Sequence, residues 1–120
     1  MEQVLDMSVV EELLSFADDG DPELIMDLIQ MFLDDGPSKV AAMTEGLAAG
    51  DLEKAERAAH SLKGSSGNLG ARLLQNACEE MQLATRYHKL DESRRLVPLL
   101  HRRFEEAEAA LRKLLATYQN

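Results

Sequence analysis

His60 stands among residues that could work with it. Glu56 lies at i−4, Lys63 at i+3, Gly64 at i+4 and Gly67 at i+7, spacings that gather side chains on one side of a helix. Projected at roughly 100° per residue, Leu52, Ala55, Ala59, Leu62, Ser66 and Leu69 share the other face, with Ala58 at its flank. That apolar arc is the core face, so His60 points toward solvent or a partner. Glycine inside a helix costs about 1 kcal/mol relative to alanine. Gly64 therefore needs another reason: bare backbone beside an imidazole lets a second protein approach to bonding distance. An unperturbed imidazole titrates near pH ~6.5, is mostly neutral at pH 7, and offers a nitrogen lone pair that attacks phosphorus without a dedicated base. The Lys63 ammonium suits an anion on that ring. The pattern points to a histidine that takes a phosphoryl or other anionic group beside a docking surface.

Such a site needs a rigid helical frame, and the sequence supplies one. Caps and periodicity predict a short helix over about 8–17 and longer ones over about 21–49, 51–67, 71–89 and 91–118. Ser8 with Glu11 three residues on reads as a capping box. Val9, Leu13 and Phe16 share one face of this helix, and Asp18, Asp19 and Gly20 end it. Asp21-Pro22 opens the second, whose apolar arc of Leu24, Ile25, Leu28, Ile29, Phe32, Met43 and Leu47 stays in phase across Gly36-Pro37. One kinked helix is therefore expected there. Asp51 caps the third, and Gly70 separates it from the fourth. Pro98 interrupts the first turns of the last, so its regular part is expected to begin near Pro98. Short connections and a single apolar stripe per helix describe one all-α domain, an antiparallel up-and-down four-helix bundle with an accessory N-terminal helix.

Composition agrees and excludes much else. The 120 residues hold 22 acids against 13 bases, a net charge of −9, few strand-forming aromatics and 3 prolines. An acidic domain repels phosphate backbones and anionic lipid, which argues against nucleic-acid and membrane-surface roles. Residues 1–51 carry 13 acids and one base, whereas residues 52–120 carry 9 acids and 12 bases. Solvated helix faces explain such blocks before docking does. Cys78 is the single cysteine, without Cys/His ligand spacing, so neither a disulfide nor a structural zinc site is expected. The start MEQVLDMSVVEELL has acids where a signal peptide needs bases, and no apolar run approaches the roughly 20 residues of a membrane span. A cytoplasmic, reducing location is expected.

The run His60-Ser61-Leu62-Lys63-Gly64-Ser65-Ser66-Gly67-Asn68-Leu69-Gly70 resembles the signature of histidine-containing phosphotransfer (HPt) domains of multistep two-component phosphorelays. That signature is His, any residue, an apolar residue, Lys, Gly, two small residues, then apolar-Gly. Gly50-Asp51, Ala58-Ala59 and the stretch from Asp21-Pro22-Glu23-Leu24 to Phe32-Leu33 resemble the family as well, so the likeness covers residues 8–118. The resemblance implies a four-helix bundle in which His60 receives a phosphoryl group from one receiver-domain aspartate and passes it to another. It implies that Lys63 helps neutralise the phosphate and that Gly64 makes room for the receiver, with Ser61 and Gly67 in the same binding surface. It further implies that Gln82, 22 residues after the histidine, hydrogen-bonds the imidazole, with Arg86 a basic neighbour one turn on. On the fourth helix Leu73, Leu74, Ala77, Met81 and Ala84 form the core face, and Gln82 and Arg86 fall off it together.

Several residues have blander readings. A lone surface histidine usually has no task, and Lys63 matters only through His60. Ser65 and Ser66 serve helix packing, Cys78 is a small buried hydrophobe, and His88 projects near the core face of its helix. Arg94, Arg95, His101, Arg102 and Arg103 form a solvated basic face or an acidic partner's contact. Met26, Met31, Leu33, Val10 and Leu14 are expected in the core, with one or two joining an exposed patch near His60. The expected protein is a phosphoryl carrier and not an autonomous kinase, since no nucleotide loop is present. It binds no cofactor of its own, and Mg²⁺ belongs to the receiver. Its partners are response-regulator receiver domains and a hybrid or other histidine kinase, and it acts as a monomer. The Met1 start and complete helices favour a standalone protein over a domain cut from a hybrid or chemotaxis-type kinase. A receiver-binding adaptor without transfer is the remaining alternative.

Overall fold

A computed structural model describes residues 3–16 and 20–119. Among them are five helices and no strand: α1 (Met7–Ser15), α2 (Glu23–Ala48), α3 (Leu52–Asn68), α4 (Arg72–Arg86) and α5 (Leu90–Tyr118). Each of α2 to α5 packs on two others, in the ring α2–α3–α4–α5, while α1 lies against α2. Ile25, Ile29, Met43, Leu47, Leu62, Leu74, Met81, Leu100 and Leu111 fill the interior at 2 % exposure or less. The 29 residues of α5 span about 44 Å and account for most of the 49 Å long axis.

Both internal prolines are carried within unbroken helices. Pro37 lies inside α2 and Pro98 inside α5, and both side chains are exposed. The lost hydrogen bonds fall on the solvent side, while core residues on either side of each proline stay in phase. The expected start of α5 near Pro98 is thus corrected to Leu90. Beside Pro37, Gly36 lets the Phe104 ring approach so closely that a Cβ would lie 2.7 Å from Cε1. Phe104 also stacks on Phe32, with centroids 5.6 Å apart.

The turns share one device. After α2, Gly50 N–H bonds Leu47 O and Asp51 N–H bonds Gly46 O; after α3, Gly70 N–H bonds Gly67 O and Ala71 N–H bonds Ser66 O. These are Schellman closures, and each glycine has the positive φ that the motif requires. The Asp51 side chain then starts α3 by accepting from Lys54 N–H at 3.0 Å, as its sequence position predicts. The α4 end repeats the closure with His88 at φ 59° in the glycine position, its N–H on Thr85 O and the Lys89 N–H on Ala84 O. This stops α4 at Arg86, three residues before the expected Lys89, and leaves His88 exposed rather than near the core.

The amino-terminal region departs most from expectation. Asp6, not Ser8, caps α1: its Oδ1 accepts from Ser8 N–H at 3.0 Å. Val10 is the buried residue of this helix, and Phe16 is 72 % exposed, so the apolar face is rotated from the expected one. The predicted stop at Asp18-Asp19 lies outside the described residues. Asp6 also ties the segment to the α3–α4 turn, through Asp6 N–H to Gly70 O at 2.7 Å and Arg72 Nε to Asp6 Oδ2 at 2.9 Å. Leu5 is buried alongside.

Two predictions follow from these contacts. An L-residue in the left-handed region costs about 1 kcal/mol or more, partly offset in glycine by unfolded-state entropy. His88→Gly should therefore stabilise the fold by about 0.5–1 kcal/mol, read as a rise in thermal midpoint; a fall would refute the strain. Hydrogen bonds from Ser8 and Arg72 lower the Asp6 carboxyl from 3.8 to about 2. A depressed carboxylate stabilises the fold above its unfolded value and loses that contribution as pH falls. The α1 tether should loosen between pH 3.8 and about 2, seen as faster amide exchange at Ser8, with no such step in Asp6→Asn.

Candidate functional site

The seam between α3 and α4 positions the site. Ala58, Ala59, Leu62 and Ser66 of α3 are buried, as are Leu74, Ala77, Cys78, Met81 and Ala84 of α4. Small residues on both sides let the helices run close enough for short polar side chains to meet across the rim. Four cross-helix pairs result, all symmetric about Ala71. Arg86 Nε donates to Glu56 Oε1 at 3.0 Å, and Gln82 Nε2 lies 3.1 Å from His60 Nδ1. Lys63 forms an ion pair with Glu79. Last, the Gln75 amide folds over Gly67, where a Cβ would sit 2.5 Å from Nε2. The antiparallel register makes these steps one turn apart on each helix.

His60 itself is exposed, as are Ser61 and Gly64. An added Cβ on Gly64 would meet nothing within 4 Å. Gln82, expected off the core face, is buried at 6 % exposure and fixes the ring from beneath, while Arg86 is exposed. The Gln82 amide has two nearly isosteric ends. With Nε2 donating, Nδ1 is the acceptor and the imidazole proton sits on Nε2. Turned end for end, Oε1 accepts from Nδ1–H and the Nε2 lone pair is free to react. Either way the glutamine selects one tautomer, and His60 Nε2 has no hydrogen-bond partner among the described residues.

Beside this rim a groove of ≈ 400 Å³ runs between α2 and α3, lined by Leu28, Met31, Asp35, Lys39, Ser61 and Ser65 among others. Met31 is 59 % exposed, whereas Leu33 and Val10 are buried and Met26 and Leu14 half-buried. Among the described residues no His, Cys, Asp and Glu side chains gather to hold a metal ion. No helix of the described chain is long and apolar enough to cross a membrane.

The structure brings His60, Lys63, Gln82 and Arg86 to one rim and Ser61 and Gly64 to the adjoining surface. Gly67 differs from the expectation of an open patch: it is half-buried under Gln75. The basic cluster on α5 is dispersed into structural contacts. Arg94 caps the end of α2, with Nε and Nη2 on Leu47 O at 3.1 and 2.9 Å. His101 Nε2 lies 3.0 Å from Thr44 Oγ1, and Arg103 pairs with Glu106. Cys78 is buried and its thiol pushed up to about 12 by burial, so it stays protonated and inert. Sequence reasoning missed Glu79 as the partner of Lys63. Reflecting the sequence about the α3–α4 turn would have found it, because residues equidistant from the turn face each other.

Comparison with known proteins points one way. The family model described as "Hpt domain" matches residues 27–116. Multistep phosphorelay regulator 1 of Schizosaccharomyces pombe is 32% identical over 80 residues, 67% of this chain and 27% of that protein. Histidine-containing phosphotransfer protein 5 of Arabidopsis thaliana is 31% identical over 70 residues, 56% of this chain and 45% of that one. The chain thus spans less than half the length of either relative. The crystal structure of histidine-containing phosphotransfer protein B from Pseudomonas aeruginosa superposes with a TM-score of 0.88, at 25% identity, covering 98% of this chain and 99% of that one. A candidate histidine-containing phosphotransfer protein from rice shares the fold, with a TM-score of 0.81 at 19% identity over 97% of this chain and 82% of that one.

The open space at Gly64 carries its own prediction. Since nothing crowds a Cβ there, Gly64→Ala should stabilise the isolated fold by about 1 kcal/mol through helix propensity alone. Chemical denaturation measures this, and a loss of stability would mean that Gly64 serves the fold.

Proposed function

Because the chain belongs to the Hpt domain family, whose model matches residues 27–116, we propose that it relays a phosphoryl group between receiver-domain aspartates through His60. One observation carries the reading: an exposed imidazole whose Nδ1 meets a buried glutamine while Nε2 stays unpartnered beside the open Gly64. The ring of α2–α5 with α1 attached supports an up-and-down antiparallel four-helix bundle with an accessory helix.

The mechanism follows from the tautomer. With the Gln82 amide turned so that Oε1 accepts from Nδ1–H, the Nε2 lone pair attacks the phosphorus of an aspartyl phosphate in line with the departing oxygen. The N–P bond forms as the acyl P–O bond breaks, and its electron pair leaves with the aspartate carboxylate. The imidazole keeps its Nδ1 proton, so the phosphorylated ring is cationic and the phosphoryl remains a good leaving group for the return step. The receiver supplies Mg²⁺ and most of the electrostatic stabilisation. This chain supplies the nucleophile, the Lys63 charge and a fitted surface. Ser61, Gly64 and the Met31 groove take the receiver, with Gly67 beneath and Arg86 at the rim. The chain is a carrier without kinase activity of its own, working in the cytoplasm as a monomer between a histidine kinase and a response regulator.

The test is incubation with phosphorylated receiver domains and Mg²⁺, followed by mapping of the label. Acid-labile, base-stable label on His60 is expected, and none in His60→Gln, which keeps the fold. Gly64→Gln should label at least tenfold more slowly because its side chain fills the space the receiver needs, while its melting curve stays close to wild type. Absence of label from every receiver in a broad panel would reduce the chain to a receiver-binding adaptor.

A further inference from the structure

Lys63 is not free. Its ammonium sits on the Glu79 carboxylate, reached across the α3–α4 seam, with the two side chains 33% and 44% exposed. Glu79 is one turn from Gln82 on α4, just as Lys63 is nearly one turn from His60 on α3. The cation nearest the imidazole along its own helix is thus committed to a carboxylate on the other helix. On the far side of His60 the arrangement repeats, with Arg86 on Glu56. In the unloaded state each of the two cations flanking His60 is matched by a carboxylate.

Loading His60 upsets the balance. A phosphoryl group places up to two negative charges one turn from Lys63, which then faces two anions: the phosphoryl on α3 and the carboxylate on α4. A fully available ammonium would stabilise the phosphohistidine and slow its discharge. A carrier must instead keep the loaded and unloaded forms close in free energy, since the group arrives from one aspartate and leaves to another.

We propose that Glu79 is a positioning residue that acts through Lys63: by competing for the ammonium, it limits the stabilisation of phospho-His60 and sets the equilibrium of phosphoryl exchange with a receiver aspartate. The proposal rests on His60 as the acceptor. Glu79 touches neither the ring nor the transferred group. It draws the Lys63 charge toward α4, and the same register that delivers Gln82 to Nδ1 delivers it. Both side chains are partly solvated, so the effect belongs to the lower range for ion pairs, about three- to tenfold in the exchange equilibrium.

The experiment is a double-mutant cycle on wild type, Glu79→Gln, Lys63→Met and the double variant. Each is equilibrated with the receiver domain that labels wild type, loaded with acetyl phosphate in Mg²⁺, and the ratio of phosphoprotein to phosphoreceiver is measured. Glu79→Gln should shift the ratio about three- to tenfold toward phospho-His60. In the Lys63→Met background the same substitution should shift it less than about twofold. Glu79→Ala, a second neutral replacement, should match Glu79→Gln, and thermal melts check that every variant is folded. A ratio unchanged in Glu79→Gln, or a shift equally large without Lys63, overturns the proposal while leaving the acceptor intact. No label on the wild type overturns the acceptor and this inference with it.

Discussion

The close antiparallel contact of α3 with α4 sets the terms for everything at the rim. It depends on small residues: with Ala58, Ala59 and Ser66 buried on α3 and Ala77, Cys78 and Ala84 buried on α4, the helix axes can approach until a glutamine of one reaches a histidine of the other. Larger residues would separate the axes, and Gln82 would no longer reach Nδ1. A slip of one residue would also rotate the pairing off the seam, so the site is specified by packing before any polar contact forms. The hydrogen bond and the ion pairs then add orientation to a register that apolar contact has already chosen.

Much of this was legible in the sequence, for identifiable reasons. His60, Lys63 and Gly64 stood out because a glycine in mid-helix carries a cost that helix stability does not explain, and local spacing suffices to see it. Asp51 and Gly70 marked their turns because capping chemistry is local too. What spans two helices was harder to read. The Lys63–Glu79 pair links residues on either side of a turn, and neither position is unusual on its own helix. Gln82 was reached by family resemblance, and its burial came as a correction to a projection that used α4 alone.

The other departures have a common origin in where backbone groups find partners. His88 ends α4 because the chain can enter the left-handed region there at a modest cost, and a histidine gives no warning of it. Pro37 and Pro98 fail to break their helices because each sits on the solvent side. The basic residues of α5 looked like a surface field in one dimension. In three, Arg94 closes the carbonyl end of α2, a distant cap that joins the last helix to the first turn of the ring. Charge counting along a sequence cannot separate such fixed contacts from a free basic patch.

The amino-terminal strap has a wider reach than its few contacts suggest. Asp6 grips the α3–α4 turn at Gly70 from one side and Arg72 from the other. That turn is the pivot about which the four cross-helix pairs are arranged. The segment before α1 thus works as a pin through the hinge of a folded ruler: it touches none of the graduations, yet their alignment is read against it. Loss of the Asp6 contacts would leave the turn that sets the α3–α4 register without its outside brace.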